Sequence, residues 1–112
     1  MQMPLQITFR NMERSPAVEA DIRRHTAKLE RFSDRITRCA IAVEKLHTHH
    51  RQGNHYHVRI DLTLPRGELV ANRQPDEHGA YTDVYVAIRD AFLSLRRQLE
   101  DHLRKDERHV TG

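Results

Sequence analysis

Cysteine, tryptophan and long apolar runs are scarce or missing in this chain of 112 residues, and each absence excludes a class of protein. The single cysteine, Cys39, leaves no disulfide framework, which favours a cytoplasmic protein. Apolar runs reach only about five residues, far short of the roughly 20 that span a bilayer, and residues 1–10 hold no signal-peptide core. Neither a nucleotide-binding glycine loop nor a catalytic carboxylate pair is apparent. The sequence therefore predicts a protein with no enzymatic activity and no cofactor.

Charge of both signs is abundant, with 19 Lys and Arg against 16 Asp and Glu and a net charge of +3. A pI near 9.4 permits nucleic-acid binding without establishing it. Three Tyr and three Phe make a modest core and form no aromatic ladder for stacking single strands, so folded RNA is the favoured nucleic acid. At this length we expect one domain over residues 1–112, with an ordered core of about residues 4–106.

The longest periodic segment covers residues 81–105 and predicts the main helix, which Thr82 or Asp83 can cap. Its apolar stripe consists of Val84, Ile88, Ala91, Phe92, Leu95, Leu99 and Leu103. Arg97 and Arg104 lie on the opposite face, and Arg89 and Arg96 lie on one flank. Residues 82–108 hold six Lys and Arg against six Asp and Glu, so this basic face can equally be an ordinary solvated surface.

The first third of the chain predicts a strand and a second helix. Residues 5–10 alternate apolar and polar side chains, as in a strand with one buried face. Ser15 followed by Pro16 is typical of a helix start, and that helix runs to about Phe32. Its predicted apolar stripe is Val18, Ile22, Leu29 and Phe32, and its opposite face carries Arg24, Lys28 and Arg31.

Three further strands are predicted at residues 37–46, 55–64 and 68–73, joined by a His-rich loop at 47–54 and a short turn. In residues 55–64 five apolar positions alternate with five polar ones, which indicates an antiparallel sheet with one open face. A loop at residues 74–80 precedes the last helix. The predicted fold is α+β with the order β-α-β-β-β-α, in which both helices cover one face of a four-stranded mixed sheet. His55, His57 and Arg59 would then lie on the open face.

The histidines and the cysteine raise two alternatives. His47, His49, His55 and His57 are candidates for a metal site, because a hairpin brings alternate imidazoles together. Without Cys partners or a fixed ligand spacing, we favour surface histidines that lie near phosphate. Cys39 sits in an apolar strand and is interpreted as a core residue, not a nucleophile.

Two surfaces besides the basic helix faces remain open as binding sites. Residues 35–73 hold seven Lys and Arg against three Asp and Glu, plus five His, so the positive charge can lie on the sheet. Val86 and Leu93 on the outer face of the last helix can mark a dimer or a protein-binding adaptor. Scattered surface apolar residues are the commoner explanation.

Short motifs occur in a fixed order along nearly the whole chain. The first third contains Ile7-Thr8, Met12-Glu13, SPAV at residues 15–18 and TAKLERF at residues 26–32. Pro65 and Gly67 lead into LVA at residues 69–71, and the most specific motifs are DVYVAI at 83–88 and LRRQL at 95–99. In this order and spacing they resemble the short ribosome hibernation promoting factors and ribosome-associated translation inhibitors.

That resemblance implies a β-α-β-β-β-α domain related in shape to double-stranded-RNA-binding domains. It also implies a protein that occupies the mRNA and tRNA channel of the small ribosomal subunit in resting cells, contacts rRNA through basic helix residues and blocks initiation. Lys28, Arg31 and Arg97 fall on basic positions of the family. Four positions that are usually Lys or Arg in the family are Glu19, His25, Ser94 and Asp101 here.

We therefore expect a ribosome-associated stress factor that binds small-subunit rRNA and inhibits translation. Its predicted rRNA-binding residues are Arg23, Arg24, Lys28, Arg31, Arg89, Arg96, Arg97, Arg104 and Lys105. His55, His57 and Arg59 form a second candidate RNA surface. The alternative is a non-ribosomal RNA-binding or protein-interaction module of the same fold, with or without a His-cluster metal site. We expect no membrane or small-molecule partner, and a monomer in isolation, with a weak dimer as the alternative.

Overall fold

A computed structural model describes residues 3–46, 55–73 and 83–111 of the chain. Within these residues the order is β1 (Leu5–Arg10), α1 (Pro16–Phe32), β2 (Arg38–Leu46), β3 (His55–Leu64), β4 (Gly67–Arg73) and α2 (Val84–Thr111). This is the predicted β-α-β-β-β-α order, and the α+β fold class is confirmed. The predicted loops at 47–54 and 74–80 lie outside the described residues.

The described strands form one sheet in the order β1-β2-β3-β4. β1 is parallel to β2, with Ile7 opposite Ile41, because α1 carries the chain back across the sheet between them. β2, β3 and β4 form an antiparallel meander, in which Ile41 faces Ile60 and Ile60 faces Ala71. The predicted mixed sheet is therefore confirmed.

Both helices begin at side-chain caps. Ser15 Oγ accepts a hydrogen bond from Val18 N at 3.3 Å, and Pro16 occupies the start of α1 as predicted. Asp83 Oδ1 accepts from Tyr85 N at 2.9 Å at the start of α2. α2 continues to Thr111, beyond the predicted end at residue 105. Beyond residue 103 the apolar periodicity fades among charged residues, so it could not mark the helix end.

The core lies between one face of the sheet and the two helices. The apolar residues predicted to be buried together are all in one cluster: Ile22, Leu29, Ile60, Leu62, Ile88, Phe92, Leu95 and Leu99. β4, whose inward face the sequence left unassigned, turns Ala71 into this core, and Leu69 packs against it. None of the described helices is long and apolar enough to cross a membrane.

The predicted burial of Phe32 is wrong. The Phe32 side chain was expected in the stripe of α1, but Phe32 is 36% exposed and lies beneath the Arg96 guanidinium, 5.1 Å from the ring centroid. As the last residue of α1, it reaches the neighbouring helix instead of the sheet. The ring thus fixes an arginine of α2 at the surface.

Candidate nucleic-acid interface

α1 carries three cations on its solvent side. Arg24, Lys28 and Arg31 are exposed, as the spacing predicts. Arg24 forms an ion pair with the buried Asp21 carboxylate. Lys28 and Arg31 have no ion-pair partner among the described residues. Their charge is therefore available to a ligand.

α2 carries four arginines on its outer side, and three of them have acidic neighbours. Arg89 lies 3.4 Å from Asp90 and Arg96 lies 3.5 Å from Glu100, measured between guanidinium nitrogen and carboxylate oxygen. The Arg104–Asp101 pair is looser, at 4.0 Å. These pairs are solvent-exposed, so each contributes less than about 1 kcal/mol and can be exchanged for a phosphate contact. Arg97 is exposed and has no ion-pair partner in the described part of the chain.

A groove between the helices brings part of each basic row together. Lys28 of α1 and Arg89 and Arg96 of α2 form its rim, and Leu29, Phe92 and Leu93 form its apolar lining. One cation of α1 and two of α2 thus lie beside the same groove. Arg31 instead borders a separate groove beside β1, where it lies near Glu30 and Asp34.

His25 also lines the groove between α1 and α2. Its ring stacks on Phe92 with centroids 5.1 Å apart and an interplanar angle of 14°. Burial lowers the pKa of His25, and the positive charges of Lys28 and Arg24 lower that pKa further, whereas the Asp21 carboxylate opposes the shift. The imidazole is therefore neutral at pH 7 and does not add to the positive charge of the rim.

Only three of the nine predicted binding residues line this groove: Lys28, Arg89 and Arg96. Arg23 and Lys105 also lie outside the two rows of cations. Arg23 is about 140° around α1 from Lys28 at 100° per residue, and its charge helps to lower the pKa of Glu19. Lys105 is similarly about 100° around α2 from Arg104. Both side chains are exposed, but neither lines the groove between the helices.

Polar side chains on the open face of the sheet are hydrogen-bonded to one another. Arg59 Nε donates to Asp61 Oδ1 at 3.2 Å, and Arg38 Nη2 donates to Gln6 Oε1 at 2.7 Å. His57 hydrogen-bonds Asn72. Because these cations already have polar neighbours, this second candidate surface presents less available positive charge than the helices.

His55 was expected on the open face, and this prediction is wrong. The residue is 3% exposed, and neither ring nitrogen has a hydrogen-bond partner among the described atoms. His55 is the first residue of β3 and pairs with Leu46 at the end of β2, where strict alternation no longer determines which side chains are covered. It cannot contact RNA in this conformation.

The metal hypothesis gains no support from the described residues. Residues 3–46, 55–73 and 83–111 contain no group of three His, Cys, Asp or Glu side chains that could hold a metal ion. His47 and His49 lie outside these ranges. His57 lies 3.6 Å from the Glu44 carboxylate, measured from Nδ1 to Oε1, in a two-residue contact.

Cys39 lies in the core, as predicted. Burial is the main reason that the pKa of its thiol rises to about 12, and the charges of Asp61 and Glu30 raise it further. Nucleophilic chemistry requires the thiolate, which is negligible at neutral pH with such a pKa. The cysteine therefore acts as a small core residue.

The sequence profile of the family described as "Sigma 54 modulation protein / S30EA ribosomal protein" matches residues 5–107. The chain belongs to this family. Membership places it among ribosome-associated modulation proteins and agrees with the resemblance seen in the sequence.

Two solved structures share the fold of this S30EA family member. A ribosomal subunit interface protein from Coxiella burnetii is 19% identical, with a TM-score of 0.71 over 91% of this chain and 99% of that chain. The Protein Y N-terminal domain from Thermus thermophilus is 22% identical, with a TM-score of 0.63 over the same shares of the two chains. At such identities the likeness establishes the fold alone.

The side chains at the four positions where the resemblance implies Lys or Arg all make local contacts. Glu19 accepts a hydrogen bond from Arg14 at 2.9 Å, and this bond is the main reason that the pKa of Glu19 is lowered. Ser94 accepts from Gln98 Nε2 at 3.4 Å, and the same amide donates to Val70 O on the edge strand β4 at 2.9 Å. Asp101 pairs with Arg104, and His25 lines the groove.

Sequence reasoning found the basic residues but missed the groove. Leu93 was assigned to the outer face together with Val86, yet Leu93 lines the groove and is 50% exposed, while Val86 is half-buried. The signal that could have revealed the groove is the placement of Leu93 one residue after a stripe residue and on the same side of α2 as Arg89 and Arg96, four residues after one and three before the other. Recognising it also required knowing that Lys28 and His25 lie opposite.

Proposed function

We propose that this protein binds the small ribosomal subunit through rRNA phosphates, occupies the mRNA and tRNA channel, and inhibits translation in resting cells. The observation that carries the proposal is the row of exposed cations on α1 and α2, fixed side by side because both helices pack on one face of the sheet. Family membership and the resemblance to hibernation factors supply the ribosome as the partner. The protein acts in the cytoplasm, without catalysis and without a cofactor.

The charges of the two surfaces favour the helix side over the sheet as the binding face. Lys28, Arg31 and Arg97 have no ion-pair partner in residues 3–46, 55–73 and 83–111, whereas Arg38 and Arg59 on the sheet are hydrogen-bonded. Phosphate neutralisation releases counterions and supplies much of the affinity for nucleic acid. Cations that need not give up a protein partner contribute this gain in full.

Structured rRNA is recognised largely through its backbone and shape, which suits a basic surface formed by two helices that pack on one sheet. The acidic neighbours Asp90, Glu100 and Asp101 weaken the long-range field. Affinity should therefore depend on close contact more than on electrostatic steering. The proposed rRNA contacts are Arg24, Lys28, Arg31, Arg89, Arg96, Arg97 and Arg104, while Arg23 and Lys105 are assigned peripheral contacts.

The direct test is co-sedimentation of purified protein with purified small subunits, large subunits and 70S ribosomes, followed by translation of a reporter mRNA in a cell-free system. We expect binding to the small subunit and a dose-dependent loss of translation that excess mRNA and initiator tRNA relieve. Binding only to the large subunit, or binding that leaves translation unchanged, would reject the proposal. Binding to free structured RNA without binding to ribosomes would favour a non-ribosomal RNA-binding module.

A further inference from the structure

We propose that the groove between α1 and α2 receives one unpaired base of the bound RNA, while the cations on its rim contact the phosphates beside that base. This inference rests on the proposed function and adds a base subsite to the phosphate surface. The argument comes from the size of the groove, its lining and the distribution of charge around it.

The groove has the size and lining of a small-ligand site. Its volume is about 280 Å³, just below the ~300–1,000 Å³ of pockets that hold drug-sized molecules. Leu29, Phe92 and Leu93 make its surface mainly apolar. Leu93 is half-exposed, although it stands beside the buried Phe92. A flat aromatic ring in the groove would remove this apolar surface from water.

The charge around the groove selects a nucleotide over an uncharged ring. Lys28, Arg89 and Arg96 line it, and none of the described carboxylates does. An apolar interior with a cationic rim complements a ligand that joins an uncharged ring to an anion, as a nucleotide joins a base to its phosphates. A peptide could supply an apolar side chain and a carboxylate, but the nine exposed cations described on these two helices suit a polyanion that extends past the groove.

The walls of the groove are already held in place. His25 is stacked on Phe92, and Arg96 lies over the Phe32 ring. Binding would therefore order few side chains, which reduces its entropic cost. The lowered pKa of His25 leaves a neutral imidazole, which can both donate and accept a hydrogen bond at a base edge.

The base must be unpaired because a paired base in an RNA helix is stacked and cannot enter a groove of this kind. Proteins read RNA sequence mainly at loops and bulges, where bases turn outward and lie against aromatic side chains or guanidinium groups. A base held in this way contributes enough that its loss weakens binding at least about fivefold.

The test compares Leu93→Gln with the matched control Val70→Gln. Both changes place the same polar side chain at an exposed aliphatic position, but Val70 lies on β4, away from the groove. Each variant is titrated with purified small ribosomal subunits over a range of salt concentrations. At saturation the rRNA is probed with dimethyl sulfate and a carbodiimide, which report base accessibility.

We expect Leu93→Gln to bind at least about fivefold more weakly, with the salt dependence of wild type, because no phosphate contact is lost. At least one unpaired base protected by wild type and by Val70→Gln should become reactive in the Leu93→Gln complex. Unchanged affinity and protections in Leu93→Gln, or equal losses in Val70→Gln, would overturn the base subsite while leaving ribosome binding intact. Weaker binding with unchanged base protections would assign the groove to a ribosomal protein instead. Failure of wild type to bind small subunits would reject the proposed function itself.

Discussion

Reversing two unpaired cations on the helix faces should change the salt dependence of ribosome binding by a predictable amount. Lys28→Glu and Arg97→Glu together lower the formal net charge from +3 to −1 and remove one proposed phosphate contact on each helix. Each neutralised phosphate contributes about 0.9 log units of affinity per log unit of salt for B-DNA, so the slope should fall by about 1.8. Between about 50 and 200 mM salt, wild type should then lose roughly twelvefold more affinity than the double variant.

The assay is a titration of fluorescently labelled protein with small ribosomal subunits at four or more salt concentrations. The matched control is Arg10→Glu with Arg66→Glu, which has the same net charge but alters the sheet face and the β3–β4 turn. Lys28 and Arg97 are exposed, so the melting temperature should stay close to that of wild type. A slope equal to that of wild type would refute the phosphate contacts of the helices. An equal effect in the control would show that net charge alone controls binding.

Four further predictions concern the fold itself. Leu99→Ala should lower the free energy of unfolding by about 2–5 kcal/mol because Leu99 is fully buried, whereas Leu93→Ala should change it by less than about 0.5 kcal/mol. Similar losses of unfolding free energy for the two variants in urea titrations would contradict the assigned burial. Ser15→Ala should cost about 1 kcal/mol by removing the α1 cap, and Ser15→Asp should retain most of that stability in the same titrations. Cys39 should react with a thiol reagent at pH 8 only as fast as the protein opens, so rapid labelling of the folded protein would contradict its burial and raised pKa. Stability should fall as the pH drops below about 6.5, because His25 binds a proton more readily in the unfolded chain than in the folded protein. His25→Gln should weaken this pH dependence in thermal melts, and an unchanged pH profile would contradict the role of His25.

The sequence alone predicted the elements that depend on local periodicity. Alternation along residues 55–64 defines β3, and the stripe through Ile88, Leu95 and Leu99 defines α2, because a side chain's direction follows from its position in a strand or helix. Ser15 and Pro16 located the start of α1, since a cap acts within one helical turn. The element order and the single-faced stripes then restricted the architecture to helices on one side of a sheet. Most exposed basic residues could be identified for the same reason.

Only the tertiary structure decided which of these residues meet. Stacking of His25 on Phe92 and placement of Arg96 over Phe32 depend on the packing of α1 against α2, which no local pattern encodes. His55 is buried although it occupies a polar position in the alternation of β3, which the sequence pattern did not indicate. The groove is lined by side chains of both helices, so it exists only where α1 and α2 lie beside each other on one face of the sheet. Sequence periodicity determines the direction of a side chain relative to its own element, whereas a binding surface depends on the relative positions of several elements.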